Sequence, residues 1–155
     1  MRRGLAVIGI AAGLAAAMPA SARGVGPDAA ACAASAGGTA LLVRIHGFDD
    51  RDGSVRVSTY RATEEDWLVR GKYVRRIDHD VPRSGDLELC VALPGPGRYA
   101  VGVLHDRNGD GKLNPFRDGY GVSNNPSLGL SKPKVQRAAF AAGTGVTAIA
   151  IKVSR

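Results

Sequence analysis

Beyond residue 38 the chain alternates apolar and polar positions with period two, the signature of strands that bury one face. Leu41, Val43 and Ile45 share one side, with Leu42, Arg44 and His46 on the other. The turn cluster FDDRDG at 48–53 leads into SVRVSTY, where Val55, Val57 and Thr59 alternate with Arg56, Ser58 and Tyr60. Together the two runs predict a hairpin. In TEEDWLVR at 63–70, a threonine cap followed by acids predicts one or two helical turns carrying Trp67 and Leu68 inward. A third strand is expected at 73–79, followed by the turn VPRSGD. LELCVAL then sets Leu87, Leu89, Val91 and Leu93 on one face and Glu88, Cys90 and Ala92 on the other. After the tight turn PGPG, RYAVGVLHD sends Tyr99, Val101 and Val103 into the core. RAAFAA and VTAIAIKVS, separated by GTG, read as the last strands.

About seven short strands, Gly/Pro turns and one short helix predict an all-β fold, an antiparallel Greek-key β-sandwich of immunoglobulin-like type. A small barrel is the alternative. The stretch from Asp106 to Pro133 breaks the rhythm, being long and dense in Gly, Asn, Pro and Asp. Long ordered loops of this kind disproportionately carry function.

The first residues change the picture. MRR, the apolar run LAVIGIAAGLAAAM and the small-residue stretch PASA match the three regions of a secretory signal peptide. The apolar run is too short to span a bilayer, and Ala20 and Ala22 place cleavage after residue 22. Arg23, Pro27 and Asp28 separate Cys32 from that run, which argues against a lipid anchor. The expected organisation is a signal peptide at 1–22, a flexible Gly/Ala/Pro-rich segment at 23–38 and a β-sandwich domain at 39–155. The expected location is the periplasm or the exterior, with no transmembrane segment after cleavage. Removing the first 22 of 155 residues leaves 133, enough for one domain. The formal charge falls from +7 to +5, because Arg2 and Arg3 leave and no acid does. An exported chain seldom meets nucleic acid, and apolar residues interrupt its basic run RGKYVRR, so a nucleic-acid partner is not expected. In an oxidising compartment Cys32 and Cys90 are expected to form a disulfide.

HDRNGDGKLN, from His105 to Asn114, poses the chemical question. In a calcium loop of EF-hand type, side-chain oxygens come from positions one, three and five, a glycine turns the chain at six, and position seven offers its carbonyl. Asp106, Asn108, Asp110, Gly111 and Lys112 fit those places, Asn114 suits position nine, and Asp118 lies near enough to join. Position twelve is Arg117 where a bidentate glutamate belongs, and Pro115 obstructs the following helix. The competing reading is a loop of Asn-Gly and Asp-Gly turns whose short side chains satisfy their own backbone without any metal. Both readings stand at this point, with Ca2+ as the candidate ion because all ligands would be oxygen.

PGPGRYAVGVLHDRNGDGKLN followed by GYGVSNN resembles the bacterial domain-of-unknown-function family 2141, whose pattern is similar to PPGxYAVxxxHDxNxNGxxD and then EGYGFSNN. The likeness extends more weakly to the first strand and to QRAAFAAG, covering most of residues 39–153. It implies an exported, transthyretin-like β-sandwich with no established activity. This chain departs from the pattern in having PFRD where the family has a GxPxE-like spacer, and Val122 where it tends to have Phe.

Signatures of catalysis are absent: there is no HExxH, no GxSxG and no CxxC. His46, His79 and His105 fall on different predicted strands, so spacing cannot test a zinc or copper triad. His105, Tyr120, Ser123, Asn124 and Asn125 form a candidate contact surface, Tyr and Asn offering area and adaptable hydrogen bonds. The resulting expectation is a non-enzymatic binding or structural module meeting an unidentified envelope or extracellular partner. The alternative is a hydrolase or metalloenzyme whose site lies in the 105–125 loop, with His105, Asp106 and Ser123 converging.

Overall fold

The computed structural model describes residues 24–33, 36–129 and 131–155, so the expected signal peptide lies outside the described residues. Among the described residues eight strands form two packed sheets: β1 (Thr39–His46), β2 (Ser54–Arg61), β3 (Arg75–Asp80), β4 (Leu87–Leu93), β5 (Gly97–Asp106), β6 (Gly119–Val122), β7 (Phe140–Ala142) and β8 (Gly145–Lys152). One sheet runs β4-β1-β8; the other runs β3-β2-β5-β6, with β7 also pairing β5. This is the all-β sandwich that the alternation predicts. The inner faces agree as well, since Leu41, Val43, Ile45, Val55, Val57, Leu89, Val91, Tyr99, Val101 and Val103 fill one buried cluster between the sheets.

Several local expectations are corrected. β1 and β2 do not form a hairpin: β1 pairs β4 and β8, while β2 pairs β3 and β5, so the turn at 48–53 crosses between sheets. Alternation says which face a strand buries but not which edge it joins. The β1–β8 pair is parallel, whereas the other pairs of named strands are antiparallel. At 63–70 there is one turn in place of a helix. Thr63 does cap it, accepting from the Asp66 and Trp67 N–H groups, but Leu68 adopts a left-handed φ of 55° that ends the run. The only α-helical turn among the described residues, α1 (Val135–Ala138), occupies the start of the expected RAAFAA strand, which begins instead at Phe140. β6 is an eighth strand inside the stretch read as loop. It was hidden because GYGV has glycine where an apolar side chain would mark alternation.

The outer faces carry two smaller clusters. Tyr60, Trp67, Ala100, Val122, Val135 and Ala138 pack outside the larger sheet, with the Trp67 and Tyr60 rings edge to face at 5.5 Å. Cys32, Cys90 and Ala40 pack outside the smaller one.

Residues 24–33, part of the segment expected to be flexible, are docked there. Val25 adds to the open edge of β4, donating to Glu88 O at 2.8 Å and accepting from Cys90 N at 3.0 Å. A disulfide joins Cys32 to Cys90, with Cα atoms 5.9 Å apart, the pairing expected from the sequence. Asp28 takes both Arg75 donors, at 2.6 and 2.8 Å, and the Ala92 N–H at 3.0 Å, so one carboxylate ties β3 to β4 across the two sheets.

The Arg75 guanidinium holds the Asp28 carboxyl below the usual carboxylate range, outweighing a partial burial that pushes the other way. A depressed folded-state pKa stabilises at any pH above the unfolded value, about 3.9, and that stabilisation disappears as pH falls through the lower folded value. Asp28→Asn is therefore expected to cost about 1 kcal/mol at pH 7, discounted because Arg75 is more than one-third exposed. Urea midpoints of the two proteins should converge as pH drops below about 4. A difference that persists unchanged at pH 2 would refute the assignment.

Candidate functional site

β5 delivers His105 and Asp106 to one end of the sandwich, and residues 107–118 then loop out before β6 returns. Asp106 and Asp118 are almost completely buried. One Asp106 oxygen accepts from Gly109 N at 2.8 Å and the other from Gly111 N at 2.7 Å. Asp118 accepts from Arg107 N at 3.2 Å and Asn114 N at 2.7 Å. Asp110, fully exposed, accepts from Lys112 N and from the Asn108 amide, each near 2.9 Å, and Asn114 accepts from Phe116 N at 3.0 Å. The Asn108 amide and the Lys112 N–H hold the Asp110 carboxyl below the usual range. Every carboxylate oxygen of the three aspartates thus meets a donor from the loop itself. That is the bonding the turn reading calls for, and it needs no metal. Among the described residues no three His, Cys, Asp or Glu side chains gather in a metal-holding group.

The loop is anchored at both ends. Arg56 bridges Asp78, at 2.6 Å, and Gly111 O, at 2.9 Å, while Arg107 pairs with Asp50 and donates to Arg117 O. Gly53 lies against the loop's start with φ +73°, and a Cβ there would come within 1.9 Å of Asp106 O, so no other residue fits.

The five residues read as a contact surface divide. His105 is buried, with Nε2 2.8 Å from Asp52 O and its ring edge-to-face on Phe48. Ser123 is buried too, accepting from Val101 N at 3.0 Å and donating to Ala138 O at 2.5 Å. Since Ser123 binds Val101 and His105 lies four positions further along β5, roughly 13 Å separates the two, and the convergence needed for a hydrolase does not occur. His79 and His105 flank Val55 in register, but His79 turns its Nδ1 to Asp80 O at 2.8 Å. His46 lies at the end of β1, in the other sheet.

Asn124 and Asn125 are exposed, both in left-handed backbone with φ of 65° and 45°, a conformation asparagine tolerates. Asn124 donates to Arg137 O and Ala139 O, fixing α1. Asn125 accepts from Lys152 N at 2.8 Å and donates to Ala150 O at 3.0 Å, imitating a strand residue along the outer edge of β8. Next to them, Gly121 lets β6 close on β8: a Cβ there would lie 2.2 Å from Lys152 O.

Of the five, Tyr120 and Asn125 line an opening. A groove of about 820 Å³ runs between the 113–118 loop, residues 125–129 and 131–133, and residues 152–155. Leu68 and Tyr120 contribute apolar surface with the fully buried Val122 among the lining residues, Leu113 and Leu128 line it while partly exposed, and Lys132, Lys152 and Arg155 lie along it. Burial pushes the Tyr120 hydroxyl well above its ordinary range, so it remains neutral here. Sequence reading missed this groove, whose walls come from three separate segments. Its only local sign was the run of prolines and small residues at 126–133.

Fold and site together define a disulfide-linked all-β sandwich with a braced loop and a neighbouring apolar groove. A family match spans residues 43–150, so the chain belongs to the family described as an uncharacterized protein conserved in bacteria (DUF2141), as the HDRNGDGKLN and GYGVSNN motifs indicated. Comparison with curated proteins and with solved structures gives no match.

Proposed function

We propose that the chain is an exported, non-enzymatic β-sandwich module that binds a ligand or partner in the cell envelope. The observation that carries this reading is the state of His105 and Ser123, which are buried, distant from each other and committed to main-chain partners. General base and nucleophile chemistry needs groups within hydrogen-bond reach of each other and of substrate. The groove, by contrast, is open and has the size and apolar character of a binding cleft. Export is supported by the N-terminal charge and hydropathy pattern and by the disulfide, which persists in oxidising compartments. Among the described residues no helix is long and apolar enough to cross a membrane.

On this reading the 106–118 loop is a self-bonded brace. Chromogenic ester, amide and phosphate substrates should show no turnover above background, and melting curves in chelator and in 10 mM calcium, about ten times the dissociation constant of a weak extracellular site, should superimpose. Saturable turnover lost in Ser123→Ala or His105→Ala would overturn the reading. A calcium-dependent rise in melting temperature abolished by Asp110→Ala would restore the metal loop.

A further inference from the structure

We propose that the groove beside Tyr120 binds a soluble amphiphilic anion, an alkyl carboxylate whose chain lies on the apolar wall and whose head meets the lysines along the rim. This rests on the binding-module reading and gives it a ligand class.

Three observations on the groove support it. Its volume, about 820 Å³, falls in the range of small-molecule sites. Its apolar surface is continuous with the buried Tyr60–Trp67 cluster, because Leu68, Tyr120 and Val122 belong to both. Leu128, 37% exposed, also lines the groove with its apolar surface still in water. A chain laid in the groove removes that surface from solvent.

The charge along the groove is one-sided. Lys132, Lys152 and Arg155 line it against one acid, Asp118, and both Asp118 oxygens are already taken by backbone N–H groups. Arg155 is paired with Asp49 at 2.8 Å, whereas among the described residues neither lysine has an acidic partner. A hydrated ammonium at the edge of an apolar slot selects a ligand with an anionic end and an apolar body.

The molecule carries its own reporter. Trp67 is the chain's single tryptophan, and its Nε1 donates to Pro133 O at 2.8 Å, on the groove wall. Occupancy should therefore perturb its fluorescence.

The experiment titrates the disulfide-bonded chain with octanoate, decanoate and dodecanoate below their micellar concentrations, following Trp67 emission and heat. Saturable binding is expected, tightening about fourfold per methylene, the factor that burying one CH2 supplies. Dodecanol should bind at least fivefold more weakly than dodecanoate at low salt, and the gap should close as ionic strength rises. Leu128→Asp should abolish binding and Lys132→Glu should weaken it about fivefold. Arg83→Glu, in the exposed β3–β4 turn away from the groove, should change nothing. Folding of all three variants is checked by melting temperature, which these exposed substitutions should leave within about 2 °C.

Equal affinity for dodecanol and dodecanoate overturns the anionic specificity. No saturable binding, or binding that Leu128→Asp leaves intact, overturns the site. Cosedimentation with anionic lipid vesicles in the absence of carboxylate binding replaces it with a membrane surface. None of these outcomes involves turnover, so each is distinguishable from failure of the non-enzymatic reading, which only catalysis lost with His105 or Ser123 would produce.

Discussion

Trp67→Ala should lower stability by about 3–5 kcal/mol, the usual cost of emptying a large buried aromatic site. Trp67 is completely buried outside the larger sheet, where it fills the space between Tyr60 on β2, Ala100 on β5 and Val135 on α1. The surroundings cannot collapse easily, because β2 and β5 are held in register across eight residue pairs. The indole also supplies the hydrogen bond to Pro133 O, so truncation strands an acceptor as well as leaving a cavity. Trp67→Phe keeps most of the packing and loses the donor, and should cost about 1–3 kcal/mol. Urea denaturation followed by circular dichroism measures both; a cost below about 1 kcal/mol for the alanine variant would mean that this outer cluster contributes little.

Opening the disulfide should be comparably severe. Cys32 and Cys90 are separated by 58 positions, a loop whose closure entropy corresponds to about 4 kcal/mol, with measured values often lower. The double variant Cys32→Ser, Cys90→Ser is expected to melt on the order of 10 °C below the oxidised protein. The loss should be local before it is global. Amide hydrogens of residues 24–33 and of the β4 edge should exchange faster under conditions where the β2–β5 pair remains protected. Identical melting temperatures with and without reductant would show that the bridge merely decorates a segment held by Val25 and Asp28.

How much of this was legible in the sequence follows from what each signal measures. Period-two alternation reports which face meets the core, and Leu41, Val43 and Ile45, or Tyr99, Val101 and Val103, lie where it puts them. It carries no information on neighbours, so the hairpin between the first two strands was wrong. Thr63 signalled a helix start correctly, but the left-handed Leu68 that stops the helix is an override imposed by packing, with its side chain set between Gly102 and the outer cluster. β6 escaped notice because the close approach that demands Gly121 removes the side chain by which a strand is recognised. The Asn and Asp residues of the 106–125 stretch were seen as ligands or contacts from their chemistry alone. Only the fold reveals that their partners are backbone groups as distant as Ala150.

The parallel pairing of β1 with β8 sets the order in which the molecule can assemble. Thr39 meets Gly145, 106 positions later, so the central strand of the smaller sheet lacks one neighbour until residues 145–152 are available. Contacts of such sequence separation give a high contact order and folding on the order of milliseconds to seconds, slow beside helical proteins of this size. A chain emerging N-terminus first therefore stays short of its native topology until residues 145–152 have emerged. Fragments ending before Gly145 should expose the unpaired edge of β1 and associate with one another instead of folding.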